Sequence, residues 1–184
     1  MALLKSFQFV LCIALMAFVS LSAADTAPPS KEHQIEAVFL FHFAEFVEWP
    51  ANAFSDPNQP FVIGILGNDP FGSYLDEVVR GEKIKGRSII VKRFDKVEDV
   101  IGCQILFLSQ LSGGIMELVF AGVKNKPILT VSGTESFCQF GCMICFGALE
   151  SKLMTINNEA AKAVHLEISY KLLKLAEVLP AAKG

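Results

Sequence analysis

Four cysteines stand at Cys103, Cys138, Cys142 and Cys145, and a fifth, Cys12, lies near the start of the chain. Four thiols in an oxidising compartment permit three disulfide connectivities. In an extended Cys-x-x-Cys strand, Cys142 and Cys145 point to opposite faces with Cα atoms about 10 Å apart, beyond the roughly 7 Å that a disulfide spans. Cys138 and Cys145 fit better, because Gln139-Phe140-Gly141 supplies a turn between them. Cys103 and Cys142 then pair with each other or stay free. A four-thiolate zinc site is the metal alternative, but Cys-x3-Cys-x2-Cys lacks the two knuckles usual in structural zinc, and no metal is expected.

The other reactive side chains give little to build catalysis on. The histidines are His33, His42 and His165, and no Gly-x-Ser-x-Gly, His-Glu-x-x-His or Walker pattern accompanies them. Paired carboxylates such as Glu45 and Glu48 sit where a solvated helix face would carry them. Gly64, Gly67 and Gly72 do not form the spaced triplet of a dinucleotide site, and Asp95 comes nearest to an acidic ribose ligand. Function must be argued from a site. The expectation is therefore a protein that is not an enzyme and carries no cofactor.

The elements that would position these groups follow from hydrophobic patterning. Glu32 to Glu48 is free of Gly and Pro and is stopped by Pro50, as a first helix would be. Phe61–Leu66 reads as a strand, and Pro70 to about Arg80 as a helix. Ser88–Phe94 is a second strand, Lys96–Ile101 a helical turn, and Gln104–Leu108 a strand buried on both faces. Leu111–Val123 reads as helix and Pro127–Val131 as another buried strand. This alternation argues for parallel βαβ units wound right-handedly. Met143–Phe146 and Leu153–Ile156 read as an antiparallel hairpin at the sheet edge, and Asn158–Val178 as a closing helix. The fold class is thus α/β, a Rossmann-like three-layer domain with a mostly parallel sheet.

An open α/β sheet binds ligands at the carboxy-terminal ends of its strands. Those ends bring forward Asn68, Asp69, Asp95, Ser109, Gln110, Ser132 and Thr134, although short polar side chains are also ordinary turn chemistry. The first helix is apolar almost all round. At 100° per residue Ile35, Phe39, Phe43 and Phe46 occupy one face, and Ala37, Leu40, Ala44 and Val47 another. Phe41 lies between Glu45 and Glu48. Either the helix is packed on the sheet and roofed by the closing helix, or part of its aromatic surface meets a second chain, with Phe41, Glu45, Glu48 and Trp49 as the candidate interface.

Residues 1–24 carry one cation, Lys5, an unbroken apolar run from Phe9 to Val19, and the small residues Ser20 to Ala24. That is the layout of a secretory signal peptide, and the run is shorter than the about 20 residues a membrane span needs. Cleavage after Ala24 takes the formal net charge from −3 to −4 and leaves one domain's worth of chain. Asp25–Ser30, with two prolines, is a linker, and the domain runs from 31 to 180. A mildly acidic domain without a basic run lacks the footprint of a nucleic-acid binder. No later segment is long and apolar enough to be a stable membrane span.

AVFLFHFAEFVEWP at Ala37–Pro50, IGILGNDPFG at Ile63–Gly72 and INNEAAKAVHLEISYKLLKLA at Ile156–Ala176, in this order behind an export segment, resemble the YfiR family of periplasmic proteins. The resemblance implies a Rossmann-like core, a periplasmic location, and a regulator that holds a membrane-bound diguanylate cyclase inactive. The implied partner is an inner-membrane signalling protein, a diguanylate cyclase or a sensor kinase, and a homodimer is expected. The alternative function is a periplasmic small-ligand-binding sensor. The separation of Cys138 and Cys145 matches a disulfide found in the family. A second family disulfide joins the position of Cys103 to a cysteine far upstream, whereas here no cysteine lies between Asp25 and Gly102.

The exported protein should have the mass of a chain beginning at Asp25. Intact-mass measurement of periplasmic protein checks this; a mass that includes Met1 rejects cleavage, and fractionation with membranes restores an anchor.

Overall fold

The chain enters its first helix at Ser30, whose Oγ accepts the His33 N–H at 3.2 Å and so satisfies one of the open donors of the first turn. The computed structural model describes residues 28–100, 102–147 and 153–180. The segment expected to be a signal peptide (1–24), the first half of the expected linker (25–27) and residues 148–152 between the two strands of the expected hairpin lie outside the described residues.

Helix α1 spans Lys31–Phe46 and is followed by the two-residue strand β1, Val47–Glu48. Strand β2 (Phe61–Gly67), helix α2 (Ser73–Val79), β3 (Lys83–Ile84) and β4 (Arg87–Phe94) come next. They lead to β5 (Ile105–Ser109), α3 (Gly113–Val123) and β6 (Leu129–Ser132). After a 3-10 segment at Glu135–Phe140, β7 (Ile144–Phe146) and β8 (Met154–Ile156) form the hairpin, and the chain continues through α4 (Asn158–Ala163), β9 (Glu167–Ile168), α5 (Tyr170–Leu173) and β10 (Glu177–Val178). The main sheet has the order β10-β8-β7-β6-β5-β2-β4-β3. Its core β7-β6-β5-β2-β4 is parallel throughout, while β8 runs antiparallel to β7 and β3 antiparallel to β4. This is the mostly parallel α/β fold expected from the sequence.

Side-chain alternation divides the interior into two cores. Phe61, Ile63 and Ile65 of β2, with Ile105, Phe107, Leu129 and Val131, pack against Leu40 and Phe43 of α1 and Leu75 of α2. Val62, Leu66, Leu106 and Leu108 point the other way, to Met116, Val119 and Val123 of α3. A strand read as one continuous apolar run is therefore a strand sandwiched between two helical layers.

Three expectations need correction. Helix α1 stops at Phe46, because Val47 turns extended and pairs with Ile168, and the Phe46 carbonyl accepts the Ser169 N–H at 2.8 Å. Helix α2 begins at Ser73 rather than Pro70, because Asp69 Oδ1 accepts the Phe71 and Gly72 N–H groups and holds a turn ahead of it. Asn158–Val178 is not one helix. Its first piece closes at Val164 and His165, which has φ +61°, with Leu166 bonding back to Ala161. The rest supplies β9 to β1 and β10 to β8, and Ser169 caps the single turn between them. Strand edges with unpaired N–H and C=O groups outweigh helix propensity here. The hairpin is consequently not the sheet edge, since β10 lies outside it.

Gln104 ties the amino-terminal ends of the strands together. It is 1% exposed; its Oε1 accepts the Val62 N–H at 2.8 Å and its Nε2 donates to the Ala53 carbonyl at 2.8 Å. Its backbone N–H donates to Val62 O and its carbonyl accepts from Leu129, so one residue joins β2, β6 and the loop before β2. Gln104→Leu keeps the volume and removes the amide. With the Val62 N–H left buried and unpaired, it should lower stability by about 2–3 kcal/mol in urea denaturation with the secondary structure unchanged; a change within experimental error would deny the residue this role.

Candidate functional site

Strands β2 and β5 are adjacent and parallel, but the connection after β2 leads to α2 on one face and that after β5 leads to α3 on the other. A crevice opens where such connections part. Gly67 closes β2 with φ +95°, and a Cβ there would lie 2.1 Å from the Ser109 carbonyl oxygen, so only glycine lets the strand ends come this close. Gln110, the residue after β5, also takes a positive φ, +49°.

The crevice has a volume of about 190 Å³ and is lined by Ser109, Gln110, Gly133 and Thr134 from the strand ends, by Pro70, and by Glu32, His33 and Glu36 from the start of α1. Of the residues singled out from the sequence, Ser109, Gln110 and Thr134 meet here. Four others do not line it. Asn68 and Asp95 are exposed beyond the strand ends. Asp69 caps the turn before α2 and receives Arg93 Nε at 2.8 Å. Ser132 is fully buried, its hydroxyl donating to Leu108 O at 2.9 Å and accepting the Thr134 N–H at 3.1 Å. Arg93 also grips Asp76 through both terminal nitrogens at 3.2 and 2.6 Å, and the hydrogen bonds with Asp76 and then Asp69 raise its pKa further above its ordinary value.

Glu36 was not singled out from the sequence, and it is the most unusual residue of the site. It is 4% exposed, and its Oε2 has no hydrogen-bond partner among the described residues. Burial, with the negative charge of Glu32 one turn earlier, pushes its carboxyl up to about 7. Gly133 makes room for it, since a Cβ there would lie 2.8 Å from Oε1. A signal was available: Glu36 precedes Leu40, Phe43 and Val47 by four, seven and eleven residues, so it interrupts the stripe that α1 buries.

The residues of the candidate interface are placed along α1 and just beyond it. Phe41 is half-buried beside His42, with ring centroids 5.4 Å apart. Glu45 is exposed and bonded to His42 Nδ1 at 2.9 Å, and the exposed Glu48 carboxylate pairs with Lys85. Trp49 serves the fold as well, its Nε1 donating to Gln104 O at 3.3 Å and its ring meeting Phe61 edge-on at 5.0 Å. Another part of α1 exposes apolar surface too: Ile35 is 41% exposed and borders, with Val38, Phe39 and Tyr74, an open apolar depression between α1 and α2.

Cys138 and Cys145 form a disulfide with Cα atoms 6.0 Å apart. Cys103 and Cys142 are free and buried, and burial pushes both thiols up to about 12. Strand β7 starts at Ile144, one residue later than the sequence pattern suggests, and Cys142 shares the α3-side core with Cys145 instead of facing away from it. Among the described residues no group of three His, Cys, Asp or Glu side chains could hold a metal ion, and no helix is long and apolar enough to cross a membrane.

The family profile described as YfiR/HmsC-like matches residues 33–177, from the first turn of α1 to the start of β10. The chain belongs to the YfiR/HmsC-like family. No curated protein matches it. YfiR family proteins are periplasmic and act as regulators in diguanylate cyclase signalling. In this YfiR/HmsC-like chain the strand-end crevice lies within the matched region, between Glu32 at the start of α1 and Thr134 after β6.

Glu36 gives the domain a pH dependence. The folded state holds the Glu36 proton up to about pH 7, whereas an unperturbed glutamate releases it near 4.5. Between those values the folded protein binds more protons, so stability falls as pH rises from about 4.5 to 7 and then levels off. Glu32 and His33 are the titratable neighbours in the crevice. Glu36→Gln should remove this decline and exceed the wild type by about 2 kcal/mol at pH 8, with little difference at pH 4.5. Denaturation curves at the two pH values decide it; parallel behaviour of the two proteins would show Glu36 ionising as it does in water.

Proposed function

We propose that this protein is exported to the periplasm and there binds the periplasmic sensor region of an inner-membrane signalling protein, restraining a diguanylate cyclase and so cyclic-di-GMP synthesis in the cytoplasm. Membership of the YfiR/HmsC-like family over nearly the whole described domain is the observation that carries this reading. The docking surface in this proposal comprises Phe41 and Glu45 of α1, Glu48 of β1 and Trp49 just after it. Aromatic side chains rimmed by exposed carboxylates are the composition of an interface core with a polar rim. The same surface is proposed to join two copies of the chain as a homodimer.

A second reading, a small-ligand-binding sensor, is favoured by the crevice at the strand ends with its unpartnered carboxylate. The two readings are compatible. A ligand that binds one state of a regulator better shifts it toward that state.

Deleting the gene should raise cellular cyclic-di-GMP, and the wild-type copy should restore it. Phe41→Ala should weaken docking by about tenfold or more, since a buried Phe contributes roughly 1.5–3 kcal/mol. Because Phe41 also touches the core, the exposed pair Glu45→Lys with Glu48→Lys is the companion variant, and it should fail to restore repression at unchanged thermal stability. Sedimentation of each variant reads self-association in parallel. Unchanged cyclic-di-GMP on deletion would overturn the regulatory reading, and full repression by both variants would remove these residues as the docking surface.

A further inference from the structure

The crevice at the ends of β2, β5 and β6 contains a carboxylate whose chemistry the protein itself does not answer. Glu36 is 4% exposed, Oε2 accepts no hydrogen bond from the described residues, and the wall opposite, at Gly133, has no side chain. Glu32 adds a second carboxylate to the lining. The described lining includes no Lys or Arg, and Arg93 on the neighbouring β4 is already bound to Asp69 and Asp76.

We propose that this crevice binds a small organic cation that donates N–H hydrogen bonds, with the Glu36 carboxylate as its counter-ion and Ser109, Gln110 and Thr134 as polar neighbours. The proposal deepens the ligand-responsive reading given above and rests on it.

Each alternative class of ligand fits less well. An anion would face two carboxylates. A neutral molecule would leave the ionised form of Glu36, the form present above about pH 7, without an opposite charge in a site of low dielectric. A metal ion would need several oxygen or nitrogen ligands, and no such group of three is gathered among the described residues. An ammonium or guanidinium brings three to five donors and no acceptor, matching the acceptor-only carboxylate. The volume, about 190 Å³, is below the roughly 300 Å³ at which pockets for drug-sized molecules begin, so the cation is small. Rotation about the terminal bond of Glu36 presents either oxygen to it, because that torsion is broad and two-fold.

The carboxyl, pushed up to about 7 by burial, ionises as the pH rises past neutrality, and a bound cation would favour the ionised form. Facing it are Glu32 and His33 from its own helix, while the strand ends and Pro70 contribute no titratable group to the lining.

The test is an amide chemical-shift titration of the ¹⁵N-labelled exported form with n-butylammonium, and with n-butanol and butyrate as isosteric neutral and anionic probes at matched ionic strength. Saturable shifts at Gln110, Gly133 and Thr134 with n-butylammonium alone are expected at pH 8, with affinity about tenfold weaker at pH 6, where Glu36 is protonated. Glu36→Gln should weaken binding by about tenfold. Gly133→Ala, whose Cβ meets Oε1, should do the same from the opposite wall. Equal binding of n-butanol or butyrate, or undiminished n-butylammonium binding by both variants, overturns the assignment of a cation and leaves a ligand crevice of other chemistry. No saturable shift with any of the three probes overturns the ligand-responsive reading together with the proposal.

Discussion

Two-sided burial of the central parallel strands is the constraint on which the rest of the structure depends. Residues alternate between faces along a strand, so β2 sends Phe61, Ile63 and Ile65 to one helical layer and Val62 and Leu66 to the other. Neither layer is optional, because each row would otherwise meet water. The need to cover both faces is also what sends the connections after β2 and β5 in opposite directions. The crevice is thus a by-product of covering the sheet, and its position was fixed before any ligand chemistry is considered.

Polar groups at the two ends of the strands are handled in opposite ways. At the amino-terminal end, Gln104 gives both ends of its side-chain amide to backbone partners, and Trp49 donates to the same residue's carbonyl. Both of these side chains spend their side-chain donors and acceptors on the backbone. At the carboxy-terminal end Ser132 and Asp69 are likewise consumed by the fold, but Glu36 is not. Polar residues buried and satisfied specify a structure; among the described residues Glu36 is the buried side chain left with an unsatisfied oxygen, and such a group calls for a functional or structural explanation.

Much of the sheet was legible in the sequence because its strands are short runs too apolar to be anything but buried. Ile105–Ser109 and Leu129–Ser132 are such runs, and the parallel order follows from their spacing. The Cys138–Cys145 bridge was legible because a turn of the right length separates the two residues. Asn158–Val178 was misread because it is rich in good helix formers, and local propensity says nothing about unpaired strand edges more than twenty residues away in sequence or, for β1, more than a hundred. Glu36 was missed for the opposite reason. Its place on the buried stripe of α1 was there to be read, but the apolar side chains alone define the faces of that helix, and a carboxylate among them carries no weight in such a pattern. The crevice was only partly legible, since whether a turn residue lines a cavity or caps a helix depends on where its hydrogen bonds go, as Asp69 and Thr134 illustrate.

The pairing of Val47 with Ile168 and of Ile156 with Val178 has a consequence for how such a chain is made. A polypeptide emerges amino terminus first, yet the exit of α1 and the outer edge of the hairpin are both closed by residues 167–178. Until those residues are available, β8 lacks its outer partner and β1 has no strand to pair with. Contacts this distant in sequence are slow to form. These pairings therefore wait on the last strands of the domain to be synthesised.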